Sequence, residues 1–414
     1  MSRRVALLAL ILLAVVAMGR SLQNGWIQDD APLILNNPAV HEASGLWSGF
    51  TEAYWPPPST GGLYRPLART TATFLWMGSG GALWVFRLAG LLLYIATVLA
   101  VWALARELLA PHQAWVAAAL FAVHPVHTEA AAIAVDQGEL VVTLCAALAV
   151  VVWLRWRRGE LRAAPAYAAL IAAYLTALGF KENGLIIPAL LGAAEVSLRG
   201  PVIVTTRRRW SVLGALALVG AAWWSVRAAV LGGVAGAAPA EGLRGAGLPA
   251  RALTMLGVVP EWARLLLWPA HLQGDYSPWE ITPFAHWATE QTLGLLLVAA
   301  FATASVIAWR RHRGAAFGLA WVAIALAPVS NVIIPTGVLL AERTLFLAST
   351  GVVLVVAALI PERAWSGHRR PILAGAIGLL LVAGAARSVT RMGIYRDLDS
   401  SVEALGRDAP DSWR

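Results

Sequence analysis

Long apolar runs, each closed by arginines or a short polar turn, recur along the whole chain. A spanning helix needs about 20 mostly apolar residues. Runs approaching that length lie near 5–19, 84–105, 113–123, 139–155, 164–179, 184–197, 211–231, 289–309, 315–328, 343–360 and 371–386. The pattern predicts an all-α membrane protein with about 11 transmembrane helices, the shorter runs extending into their flanks. Two long polar segments, about 20–83 and 232–288, read as loops carrying short helices. The second holds an apolar stretch from Ala252 to Trp268 broken by Pro260, Glu261 and Arg264, which reads as helices lying in the interface. No fixed-period repeat is visible.

Composition agrees with this pattern and excludes the alternatives. Of 414 residues 59% are apolar and 13% charged, and mean hydropathy is +0.67. A soluble domain carries about a quarter charged residues, so a soluble enzyme, a disordered regulator and a nucleic-acid binder are all excluded. The basic balance, +9, comes from short arginine clusters between apolar runs. With the N-terminus in the cytoplasm, Arg106, Arg155–Arg158, Arg207–Arg209, Arg310–Arg313 and Arg369–Arg370 all fall inside, as the positive-inside rule requires. Residues 1–19 also have the form of a cleaved signal peptide. Cys145 stands alone, which rules out a disulfide framework and a cysteine zinc site.

By the same count the other face receives nearly all acidic and histidine-bearing motifs. The first, QDDAPLILNNPAV, holds Asp29 and Asp30 just past the first span. A carboxylate there is placed to accept a proton from an attacking hydroxyl; an Asp-Asp-Ala-Pro helix cap is the alternative. GLYRPLART follows, with Arg65 and Arg69 against the general charge bias. Each is either a fork for phosphate or a salt-bridge partner of Glu42 or Glu52. FAVHPVHTEAAAIAVDQGE brings His124, His127, Glu129 and Asp136 together. Ionisable groups at this depth are functional candidates, although the spacing matches no zinc signature and Thr128 with Glu129 also fits a helix cap. GFKENG carries the chain's one lysine, Lys181, beside Glu182: a phosphate contact or an ion pair with another motif. SNVIIPTGVLLAER ends in Glu342 and Arg343, a further cation against the bias. Carboxylates, histidines and isolated cations on one membrane face suit group transfer from a lipid-linked phosphate.

The order DD, YRP, HPVHTEA, KENG, LLLWPAHLQGDYSPWEI and SNVIIPTG…AER resembles the transmembrane and tetratricopeptide-repeat family of protein O-mannosyltransferases, from about 24 to 350. The tail IYRDLDSSVEALGRDAPDSWR resembles the lead-in to a first tetratricopeptide repeat, and the repeat array itself is absent from the sequence. The resemblance implies a GT-C fold over 1–386 with an external tail at 387–414. It also implies a polyprenyl-phosphate-linked sugar donor, of undecaprenyl type if the arginine- and alanine-rich chain is bacterial, and inverting transfer of mannose or another hexose to Ser or Thr of a protein acceptor.

Carried onto this sequence, the resemblance makes Asp29 the catalytic base with Asp30 beside it. Arg343, Lys181 and Arg65 are expected to hold the donor phosphate. His124, His127, Glu129, Glu182, Asp275, Tyr276 and Glu342 are expected to shape the site and its acceptor side. No metal is required, though Asp29, Asp30 and His124 leave room for a divalent ion. The site and the C-terminus are expected on the periplasmic face of a bacterial inner membrane. Two alternatives remain at this point: a GT-C transferase acting on a glycan or lipid headgroup, and a non-catalytic carrier of polyprenyl-phosphate sugars.

Overall fold

The computed structural model describes residues 2–58, 62–233, 240–276 and 286–410. Residues 277–281 of the LLLWPAHLQGDYSPWEI motif and 411–414 of the tail lie outside that set. Every apolar run becomes a helix. Among the described residues, the helices of eight residues or more are α1 (Arg3–Met18), α2 (Pro66–Ser79), α3 (Leu83–Leu108), α4 (Pro111–Ala122), α5 (Gly138–Arg157), α6 (Ala163–Phe180), α7 (Ile187–Ser197), α8 (Thr206–Leu231), α9 (Leu248–Leu267), α10 (Thr289–Arg311), α11 (Arg313–Leu326), α12 (Phe346–Ala358), α13 (Arg369–Met392) and α14 (Leu398–Asp408). Seven of the helical stretches are long and apolar enough to cross a bilayer: those containing α1, α3, α5, α6, α8, α10 and α13. The runs near 113–123, 184–197, 315–328 and 343–360 give shorter helices, of 12, 11, 14 and 13 residues.

The lengths have a physical pattern. Short α4 and α12 are buried on nearly every side, so neighbouring helices surround them. Long α10 has 11% of its apolar window buried, against 78% for α5. In hydrocarbon there is no hydrophobic drive between helices, so close packing relies on small residues. Where α11 crosses α12, Gly318 faces Gly351: a Cβ on Gly351 would lie 2.4 Å from the Gly318 carbonyl oxygen. Helix α8 stops at Gly232, whose φ of 68° admits the left-handed cap and whose N–H bonds Ala228 O. The stretch from Ala252 to Trp268 is one helix, α9, continuous through Pro260 and packed along α10.

Helix α5 sets the axis of the site. Glu139 stands at one end of this 20-residue helix and Arg157 at the other, about 27 Å apart at 1.5 Å per residue. Around Arg157, Glu195 joins it to Arg209, while Glu107 takes Arg155 and Arg158. The arginine clusters therefore gather at one end of the bundle. The acidic and histidine motifs gather at the other.

Candidate active site

At that second end a cavity of about 340 Å³ opens between five segments: the turn at Gln28 and Asp29, Glu129, the loop 273–276, the loop 337–343, and α14 with the residues before it. Gln28 has a φ of 48°, the left-handed region that side chains seldom adopt. The turn around it is closed by Asp30 N–H to Ile27 O and Ala31 N–H to Gln28 O. Beyond it the two aspartates diverge. Asp29 lines the cavity, and among the described residues no donor reaches its carboxylate. Asp30 is fully buried, bound to the Arg87 guanidinium at 2.9 Å and to the backbone N–H groups of Ala134 and Val135 at 3.1 and 3.0 Å. It sits at the cap position of a short helical turn without capping it.

The three cations expected to hold phosphate are each bound to a carboxylate. Arg65 forks onto Glu182 at 3.2 Å. Lys181 reaches Glu139 at 2.6 Å rather than its neighbour Glu182. Its backbone is extended, with φ −159° and ψ 144°, and successive side chains on extended chain point to opposite sides. Arg343 sits between Glu129 and Asp136, and its backbone N–H also donates to Glu129 at 2.8 Å. Arg69 pairs with Glu52 at 2.9 Å, as one of the two readings of the sequence allowed.

The HPVHTEA motif divides in the same way. Glu129 lines the cavity, whereas both histidines face the bundle. His127 is fully buried between the Tyr94 hydroxyl, 2.9 Å away, and the Ser349 hydroxyl, 2.8 Å away. His124 stacks on it and contacts Leu266 O at 3.1 Å. Burial lowers both histidines, His124 to about 4, so they are neutral structural groups at neutral pH. Thr128 donates to Pro125 O and caps nothing. Among the described residues, no three His, Cys, Asp or Glu side chains are grouped to hold a metal ion.

Glu342 closes the cavity from the other side. Its Oε1 accepts from Gln273 N–H at 2.7 Å, from the Tyr276 hydroxyl at 3.1 Å and from Arg391 at 3.4 Å. Its Oε2 is buried without a partner among the described residues. Burial raises the carboxyl to about 7 against the pull of Arg391. Asp275 and Tyr276 also line the cavity. In the SNVIIPTG loop Asn331, with φ 56°, accepts from Thr336 N–H and donates to Val338 O. That side chain fixes the loop presenting residues 337–343.

No protein-family model matches the chain. It is 36% identical over 152 residues to the protein O-mannosyl-transferase Tmtc2 of Drosophila melanogaster, covering 35% of this chain and 16% of that protein. Against Tmtc1 of the same organism it is 32% identical over 190 residues, 44% of this chain and 22% of that one. Mouse protein O-mannosyl-transferase TMTC3 aligns over 377 residues at 23% identity, 81% of this chain and 40% of that protein. The chain is similar to protein O-mannosyl-transferases. It spans less than half the length of these curated relatives. Among solved structures it superposes on the oligosaccharyltransferase of Archaeoglobus fulgidus in the apo form, over 97% of this chain and 56% of that one, with 15% identity and a TM-score of 0.48.

Sequence reasoning missed Arg87, Arg391, Gln28 and Gln273. Arg87 had a usable signal, because it is an arginine near the start of a long apolar run, where a buried charge needs a named partner; Arg391 lies past the end of the last apolar run, where an arginine draws no attention. Gln28 and Gln273 act through a backbone turn and a backbone N–H, and residue type does not announce either.

Proposed function

We propose that the chain is a membrane glycosyltransferase of the GT-C class, moving a sugar from a polyprenyl-phosphate donor to a hydroxyl of a protein acceptor. The observation that carries this reading is the Asp29 carboxylate, set in a cavity wall without a hydrogen-bond donor while Asp30 behind it is fully committed. Similarity to protein O-mannosyl-transferases over a third or more of the chain supports the reaction class. A mannosyl group is the transferred sugar in this reading, and Ser or Thr is the acceptor.

The acceptor oxygen attacks the anomeric carbon as its proton passes to Asp29. The bond from that carbon to the phosphate oxygen breaks, and the electron pair leaves with the phosphate. One displacement at one carbon inverts its configuration. Asp30, held by Arg87, fixes the turn that presents Asp29. In this reading the arginine clusters at the far end lie in the cytoplasm, as the positive-inside rule favours, and the cavity and the C-terminus face outward, periplasmic if the host is bacterial and the donor an undecaprenyl phosphate sugar.

The test is Asp29→Asn in proteoliposomes supplied with a polyprenyl-phosphate hexose and a Ser/Thr-bearing acceptor. Transfer should fall by about 10²-fold or more, the typical worth of a general base, with donor binding retained. An asparagine variant that keeps more than about a tenth of the rate sinks the assignment.

A further inference from the structure

A second cavity, about 690 Å³, adjoins the first and shares Ile394 and α14 with it. Its character is opposite. Arg20, Arg387, Arg391, Arg396 and Arg407 line it, and Glu403 and Asp408 are its acids among the described residues. These arginines converge from three places in the sequence: the end of α1, the last turns of α13 with the residues just after it, and α14. Both spanning helices end here, so the cavity lies where a bilayer surface would meet the site-bearing end of the bundle.

Three of the five are paired to carboxylates, Arg391 to Glu342 and Asp408, Arg396 to Asp397 and Arg407 to Asp408; Arg20 and Arg387 stand apart. Arg20 and Arg387 donate to backbone carbonyls, Val389 O at 3.3 Å and Ala270 O at 2.9 Å, and neither has a carboxylate partner among the described residues. Arg391 is 1% exposed; its Nη atoms bind Asp408 and Glu342, and its Nε is buried without an acceptor among the described residues. Gly393 keeps the space open, because a Cβ there would stand 3.0 Å from the Arg20 guanidinium. A guanidinium offers five N–H donors in a fork that matches phosphate oxygens.

We propose that this arginine-lined cavity binds the phosphate of the lipid-linked donor, with Arg387 and Arg20 in contact and Arg391 linking it to the carboxylate cavity through Glu342. The proposal rests on the glycosyltransferase reading and deepens it. The cations first expected to do this, Arg65, Lys181 and Arg343, are each paired to carboxylates. The chemistry favours the new site. As the sugar leaves, a phosphodiester with one negative charge becomes a monoester with nearly two, so fixed cations bind the departing group more strongly than the donor and lower the barrier. No proton or electron beyond those of the transfer is needed.

The experiment measures equilibrium binding of a C55 polyprenyl monophosphate to the purified chain in neutral-lipid nanodiscs. Unphosphorylated polyprenol, inorganic phosphate and phosphatidylglycerol are the comparison probes. Arg387→Gln and Arg20→Gln should each weaken the monophosphate about tenfold, the worth of one hydrogen bond to a charged group. Arg387→Lys should recover part of the loss, and polyprenol binding should not respond. Unchanged monophosphate affinity in both glutamine variants overturns the proposal. Phosphatidylglycerol competing as well as the monophosphate overturns the donor assignment in favour of a bilayer headgroup, and inorganic phosphate binding alone overturns the lipid source. The two readings fail separately. Arginine-dependent binding with a fully active Asp29→Asn variant removes only the base, whereas an inactive Asp29→Asn variant with arginine-independent binding removes only this cavity.

Discussion

Asp29 and Asp30 are consecutive in the chain and belong to two different regions of the molecule. Asp29 stands in the wall of the cavity, which it shares with Glu129, Asp275, Glu342 and the Arg343 that Glu129 binds. Asp30 belongs to a buried ion-pair lattice behind that wall, which also contains Arg65 with Glu182 and Lys181 with Glu139 and reaches the wall itself where Arg343 binds Glu129 and Asp136. In the lattice almost every charge has its opposite. Among the described residues Asp29 has no donor on either oxygen, whereas Glu342 on the wall and Asp136 and Glu139 in the lattice each have a partner on one oxygen and none on the other. A carboxylate paired to a cation holds shape, and one without any donor is free to take a proton.

The sharpest way to break this distinction is to exchange the fates of the two aspartates. Asp30→Ala leaves the Arg87 guanidinium buried without its carboxylate and strips two backbone N–H groups of their acceptor. Breaking a buried pair from one side costs about 3–5 kcal/mol. Asp29→Ala removes no such contact and should change stability by no more than about 0.5 kcal/mol. Thermal unfolding of the two variants in detergent separates them. Equal losses would mean that the wall and the lattice are one structure.

How much of this was legible in the sequence follows from the same division. The helices were, because a lipid solvent leaves no other use for runs such as those near 84–105 or 211–231. The gathering of the acidic motifs at one end was legible too, since Glu129, Asp275 and Glu342 line one cavity there. Which aspartate faces the cavity was not. That depends on a left-handed turn at Gln28 and on Arg87, a partner in another helix. Lys181 and Glu182 look like a pair in the sequence and are not one, because extended backbone sends them to opposite sides. The count of eleven spans is also less direct than the pattern implied. The four short runs give inner helices whose depth is set by neighbours as much as by lipid.

A second test sharpens the comparison at Glu342, the wall residue that is partly tied to the lattice through Arg391. Burial raises its carboxyl from the ordinary 4.5 to about 7. A carboxyl raised on folding favours the folded state most when protonated. Its contribution is full below about pH 4.5 and is lost as pH rises through about 7. The window is worth about 3 kcal/mol at 1.36 kcal/mol per unit. Glu342→Gln removes the titration, so the stability of the parent relative to this variant should fall across that window and level off above it. A difference that is flat in pH would place Glu342 in the saturated lattice.

The smallest effect belongs to a pair that resembles the lattice in distance alone. Arg69 and Glu52 meet at 2.9 Å, yet the Arg69 side chain is 3% exposed and that of Glu52 is 57%. A carboxylate so exposed keeps most of its hydration, and such pairs contribute about 0–1 kcal/mol. Arg69 also donates to the carbonyls of Ala53 and Tyr54, so Glu52→Gln leaves it with acceptors, and melting should move little and be nearly blind to added salt. Arg69→Met removes the donor from both carbonyls at once, and an unmet buried acceptor costs about 1–3 kcal/mol. The two substitutions break the same ion pair from opposite sides, so an unequal response locates the stabilising contact at the backbone. Equal responses would give the charge pair itself the weight of the buried lattice.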